Sequence, residues 1–235
     1  MFQPRRASRG PAIVAWILAG VATSAGAGRP LATDDAATVG ERQCQLEAWI
    51  EAPKNGHGLV VAPACGLTAS TELGVELARS RVAGQTAEDA TLGVKWVAGE
   101  LGWTDWALGA KVYASRGRVR PGPWRQGESG ALLLASRGIA AQWTVHANLG
   151  IAHRPGAGRS DALAKLAAVW QPAPAFLAFA EIEAQQRTAT TQSAGLRWWI
   201  VPERLGLDFT ASRDVGVPDS RRFTAGVGWY GVFGR

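Results

Sequence analysis

The chain is poor in the residues that most enzymes and nucleic-acid-binding proteins rely on. Its 235 residues include two Cys, three His, one Met and two Tyr, and charged side chains make up only 19%. His57, His146 and His153 have no metal-ligand spacing with one another or with Cys, so neither a metal site nor another cofactor is predicted. Gly226, Gly228 and Gly231 match a dinucleotide fingerprint literally, but they lie too close to the C terminus for the helix and second strand that the motif needs. Gly127-Glu128-Ser129-Gly130 lacks the last glycine of a nucleophile elbow and its strand-to-helix setting. Beyond the N-terminal segment no stretch of about 18 apolar residues occurs, which excludes helical membrane spans. The nearest exception, 162–180, is interrupted by Lys165, Pro172 and Pro174.

What is present begins with an export signal. Arg5, Arg6 and Arg9 precede an apolar stretch from Pro11 to Ala22 and a small-residue exit ending Ala25-Gly26-Ala27. Residues 1–27 are therefore expected to be removed, which lowers the formal charge from +6 to +3 and weakens any case for nucleic acid as a partner. Export also implies an oxidising compartment. A hairpin turning at Pro53-Lys54-Asn55-Gly56 would set Cys44 directly opposite Cys65, leaving either a disulfide or two separate thiols there.

The remaining chain alternates with period two. Between Gln142 and Ala152, Trp143, Val145, Ala147, Leu149 and Ile151 share one face, while Thr144, His146, Asn148 and Gly150 share the other. The same split recurs along the chain and predicts strands near 43–52, 58–67, 71–81, 88–98, 104–115, 128–137, 142–152, 162–171, 175–187, 191–201, 205–213 and 222–233. An even count of antiparallel strands in an exported chain fits a soluble barrel or sandwich with apolar side chains inside, or a membrane barrel with them outside. The aromatic residues separate the two. With strands alternating up and down, Trp96, Trp106, Trp143, Trp170, Phe176, Trp198, Trp229 and Phe233 all fall on the apolar face near one end. A membrane barrel places such a girdle at the interface, where a ring is apolar and its N–H still meets water. The predicted fold is all-β: an antiparallel up-and-down transmembrane β-barrel of about 12 strands over 43–235, preceded by a periplasmic segment, 28–42.

On the opposite face, Glu47, Glu76, Lys95, Asp105, Lys111, His146, Asn148, Lys165, Glu181, Glu183, Arg197 and Asp208 are expected to line the lumen. Such a mixed wall either pairs internally and closes the lumen or lines a hydrated path. Acids outnumber bases on this face, which suggests a modest cation preference. No nucleophile and base converge, so no catalytic residues are assigned. Asp34-Asp35 resembles a carboxylate pair, but no partner residue for it is evident. The arginines of the longer connections, among them Arg79, Arg118, Arg120, Arg154 and Arg222, suit an outer leaflet of phosphorylated lipopolysaccharide.

The run Arg29-Pro30-Leu31-Ala32-Thr33-Asp34-Asp35-Ala36, then Gln43-Cys44-Gln45-Leu46-Glu47 and Gly66-Leu67-Thr68-Ala69-Ser70-Thr71-Glu72-Leu73-Gly74-Val75, resembles the opening of a known family. That family comprises the outer-membrane channels named for the meta-pathway of phenol degradation. The final strand, with Phe223, Ala225, Val227, Trp229, Gly231 and Phe233 alternating, is similar to the C-terminal strand that the outer-membrane assembly machinery recognises, except that Gly234-Arg235 follow it. The resemblance implies a barrel in the outer membrane of a Gram-negative bacterium that moves small, often aromatic, solutes, and it transfers no catalytic residues. A channel or porin-like protein is the expectation, with lipid, lipopolysaccharide, a small-molecule solute and the assembly machinery as partners. An outer-membrane hydrolase and a sealed structural or adhesive barrel are the alternatives.

Overall fold

The computed structural model describes residues 31–98 and 106–232. The export signal, Asp105 and Phe233 lie outside the described residues.

Each segment of alternating residues is a strand. In chain order they are β1 (Cys44–Pro53), β2 (Gly56–Thr68), β3 (Thr71–Val82), β4 (Gln85–Val97), β5 (Ala107–Val119), β6 (Arg125–Ala140), β7 (Trp143–Arg154), β8 (Arg159–Ala173), β9 (Phe176–Gln185), β10 (Thr191–Val201), β11 (Leu205–Asp214) and β12 (Arg222–Tyr230). Every strand pairs antiparallel with its sequence neighbours, and β1 closes on β12 through a register running from Gln45 opposite Tyr230 to Pro53 opposite Arg222. Closure leaves no sheet edge with unpaired backbone groups, the condition for a sheet surrounded by hydrocarbon. The strands are 9 to 16 residues long, enough for tilted crossings, which need about 9–11 residues.

Period-two alternation then decides which side chains face lipid. Along β7, Leu149 is 62% exposed and Ile151 58%, while Asn148, next to Leu149, is fully buried inside the barrel. Leu46, Ile50, Leu77, Leu92, Leu108 and Phe209 continue this apolar outer surface on other strands. In water such a surface would drive association. β6 resolves the run Leu132-Leu133-Leu134 in the same way: Leu133 is outside at 68% exposure, and its two neighbours are buried inside. The Ala-rich stretch after Asp161 is strand β8, its inward positions filled by Leu163, Ala167 and Val169.

The end where β1 begins and β12 finishes is the near end. Trp96, Trp106, Trp143, Trp170, Trp198 and Trp229 lie exposed at this level, and Trp143 stacks on Trp170 with ring centroids 6.1 Å apart. Near-end turns such as 141–142 and 174–175 are short, although the longest connection, 98–106, is also at this end. Cys44 lies opposite Cys65 in the β1–β2 register, and the two are disulfide-bonded.

Candidate functional site

The inward face carries the ionisable side chains that the lipid-facing surface lacks. Glu47, Glu76, Lys95, Lys111, Asn148, Glu181, Arg197 and Asp208 are buried there, Lys165 is paired with Glu183 at 3.0 Å, and His146 Nδ1 lies 2.7 Å from Ser136 Oγ. Buried charges at this density require partners, because an unpaired one is strongly destabilising.

Many of the partners come from the segment before β1. Residues 31–40 do not hang below the barrel, where the sequence pattern put residues 28–42; they enter the lumen from the near end and lie against its wall. One residue from each of seven consecutive strands holds them. From β3, Glu72 accepts the Val39 N–H at 3.0 Å. From β4, Lys95 Nζ donates to Asp35 at 3.1 Å, and from β5, Lys111 Nζ lies 3.1 Å from both carboxylate oxygens of Asp34. Ser136 of β6 accepts the Ala36 N–H at 2.8 Å. Asn148 of β7 makes a reciprocal pair with the Asp34 backbone, accepting its N–H and donating to its carbonyl, both at 2.8 Å. Lys165 of β8 donates to the Ala32 carbonyl at 2.9 Å, and Glu181 of β9 accepts the N–H groups of Ala32 and Thr33 at 2.9 Å and the Thr33 hydroxyl at 3.0 Å. Ala36 packs among Ala107, Leu132 and Leu134, a small apolar patch inside the lumen.

The segment contains no helix or strand of its own, so these side chains do the work that a backbone ladder does elsewhere. It joins β1 through a tight crossing. Gly40 is at φ +90°, Arg42 donates its N–H to the Gly66 carbonyl, and Gly66 donates its N–H to Gln43. Gly66 has to be glycine here, since a Cβ would lie 1.9 Å from the Gly40 carbonyl oxygen.

Four of the remaining strands form a second cluster. Arg197 of β10 bonds Asp208 of β11 at 2.8 Å and the Tyr230 hydroxyl of β12 at 2.6 Å, and Tyr230 in turn donates to Glu47 of β1. The guanidinium also lies over the rings of Trp199 and Tyr230. Between this cluster and the segment is a cavity of about 40 Å³, bounded by Glu47, Glu72, Glu76, Thr91, Lys95 and Lys111 among others. Its volume has room for a few waters and nothing larger.

Toward the far end, Tyr113 donates to Glu128 at 2.8 Å, and Arg154 bridges Glu128 and Gln185 at 2.9 and 2.8 Å. At the far rim, on the outer surface, Glu88 gathers Arg118 at 2.6 Å and Arg120 at 3.0 Å, and Arg118 lies over Trp124. In the loop before β12, the Lys54 ammonium beside Asp219 holds that carboxyl below its usual range. Among the described residues no cluster of His, Cys, Asp or Glu is placed to hold a metal ion.

Sequence reasoning missed Ser136 as a lumen contact and found no partner for Asp34-Asp35. One signal was available: three lysines at similar depths on the inner faces of β4, β5 and β8, in a chain with only four, beside an unassigned acid pair.

An apolar outer wall and an ionic interior in a closed twelve-stranded sheet define a transmembrane β-barrel with an internally plugged lumen. By its sequence from residue 13 to 229, the chain belongs to the family described as Uncharacterised conserved protein UCP029691. No curated protein matches it in sequence. In structure it is similar to the KdgM porin, with a TM-score of 0.60 at 10% identity over 79% of this chain and 98% of that one. The KdgM porin in complex with disordered oligogalacturonate gives 0.61 at 9% identity, covering 80% and 98%. The NanC porin gives 0.58 at 8% identity, covering 79% and 98%. At these identities the likeness establishes the barrel fold.

Proposed function

We propose that the protein is an outer-membrane channel of a Gram-negative bacterium, passive and selective for small polar solutes, in which residues 31–40 occupy the conduction path and must move for solute to pass. One observation carries this reading: the wall turns its lysines, acids and amides inward at mid-depth, where a merely structural barrel would be filled most stably with apolar side chains. The export signal at 1–27 and the tryptophan belt favour a near end facing the periplasm, with the arginine-rich far rim against lipopolysaccharide and the last strand read by the assembly machinery. The resemblance to the phenol meta-pathway channels favours aromatic cargo, but the density of ionised groups around the cavity favours polar cargo, and we adopt the latter.

Conductance in planar bilayers tests the proposal. Wild-type protein should open rarely, and the Asp34→Asn, Asp35→Asn variant should conduct at least tenfold more often, because both lysine–carboxylate contacts to the segment are weakened. A folded variant that stays silent, together with a silent variant lacking residues 31–39, would reject the channel. The second reading, a sealed barrel, would then stand on the plug's seven-strand grip.

A further inference from the structure

The way residues 32–36 are held carries information about the solute. The wall does not grip this segment by shape alone; it reads peptide chemistry position by position. Glu181 and Ser136 accept backbone N–H groups, Asn148 pairs with both the N–H and the C=O of one residue, and Lys165 donates to a carbonyl. Lys111 and Lys95 take two successive carboxylates. Six side chains on six strands, β4 to β9, thus match an acidic peptide.

These contacts are also exchangeable. Lys95 also has Glu72 at 3.6 Å and Lys165 has Glu183 at 3.0 Å, partners that belong to the wall and do not leave with the segment. Departure of the segment therefore does not leave these two ammonium groups without a carboxylate, and the main penalty that would lock a buried ionic plug in place is reduced. The segment has no ladder bonds to break, and its tether is a glycine turn.

We infer that the lumen of β4–β9 is a binding site for short peptides with adjacent acidic residues, and that Asp34-Asp35 is a tethered occupant of this site that such a solute displaces. The inference takes its transport role from the channel reading above, but the site itself is defined by binding alone. A tethered occupant acts at an effective concentration in the millimolar range, so a free peptide competes poorly in the wild-type protein and well once the tethered carboxylates are gone.

The probe is the acetylated, amidated pentapeptide Ala-Thr-Asp-Asp-Ala, with Ala-Thr-Asn-Asn-Ala as control, titrated calorimetrically into detergent-folded barrel. Folding is checked by heat-modifiable migration. The Asp34→Asn, Asp35→Asn protein, or a variant lacking residues 31–39 if the first retains its segment, should bind the acidic peptide at least tenfold more tightly than wild type does. It should also prefer that peptide to the control by at least tenfold. Adding Lys111→Gln should remove most of this preference. If both folded variants fail to bind, or bind the two peptides equally, the inference is overturned. Conductance measured on the same protein separates the two readings. A variant that conducts without binding peptide overturns the inference and keeps the channel; one that binds peptide but never conducts overturns the channel and keeps the site.

Discussion

At the scale of single residues, the two ionic clusters in the lumen have different consequences when broken. Arg197 is 3% exposed and bonded to Asp208 and Tyr230 on neighbouring strands, so no group in its cluster can leave without the barrel opening. Arg197→Met removes the cation beside Glu47 and Asp208 in the interior and should lower barrel stability by about 3–5 kcal/mol, read as a shift of the urea unfolding midpoint in lipid vesicles. Asp34, by comparison, belongs to a segment outside the sheet. Removing its carboxylate releases a segment and costs the barrel much less. A shift for Arg197→Met no larger than for Asp34→Asn would show that the two clusters are equivalent. Ser136 illustrates a residue whose neighbour suggests chemistry that its environment opposes: beside His146, its hydroxyl is buried under Ala36 and already accepts that residue's N–H.

Among the elements, strands were legible in the sequence and the plug was not. A strand repeats every two residues, and one face of each had to suit lipid, so Leu149 and Ile151 against Asn148 fixed both the element and its orientation. All twelve segments could be found in this way, with boundaries displaced by a few residues, chiefly at β6, which extends from Arg125 to Ala140. Residues 31–40 have no period to read. Their contacts join positions 33 to 149 residues apart in sequence, and each depends on a wall that exists only after the barrel has closed. The tether is the accessible test of this element. Gly66→Val places a branched side chain where the Gly40 carbonyl lies and should push the crossing off β2 while leaving the β1–β2 and β2–β3 registers intact. Brief digestion with a protease that cuts at Asp should then cleave near Asp34 in the variant and spare wild type, with the heat-modifiable band unchanged. Equal resistance of the two proteins would mean that the segment holds without its crossing.

For the whole molecule, the inside-out distribution of side chains makes two expectations quantitative. Leu149→Arg, on the lipid face at the middle of β7, should weaken folding into vesicles by about 2–4 kcal/mol, the cost of a cation near the bilayer midplane. A soluble barrel would show almost none of this loss, which makes the substitution a test of the membrane itself. The second expectation concerns ion selectivity. With the segment docked, its two carboxylates neutralise Lys95 and Lys111; once it is displaced, these ammonium groups face the path. The reversal potential of the Asp34→Asn, Asp35→Asn channel under a salt gradient should therefore be shifted toward anions relative to the same channel carrying Lys95→Gln and Lys111→Gln. Identical potentials would mean that ions do not pass these lysines. The surplus of acids on the inner-reading strands suggested a cation preference, and that count left out Asp34 and Asp35, which bring two further carboxylates into the lumen.

The one-contact-per-strand grip on residues 31–40 also sets an order of events in time. The segment is the first part of the described chain to be made, yet none of its partners exists as a surface until β3 through β9 stand side by side. It contributes nothing to nucleating the sheet and must wait, extended and solvated, while the sheet curls and its seam forms at β1 and β12. Docking therefore follows closure of the barrel. The wall that receives the segment is thus complete before the segment can dock in it.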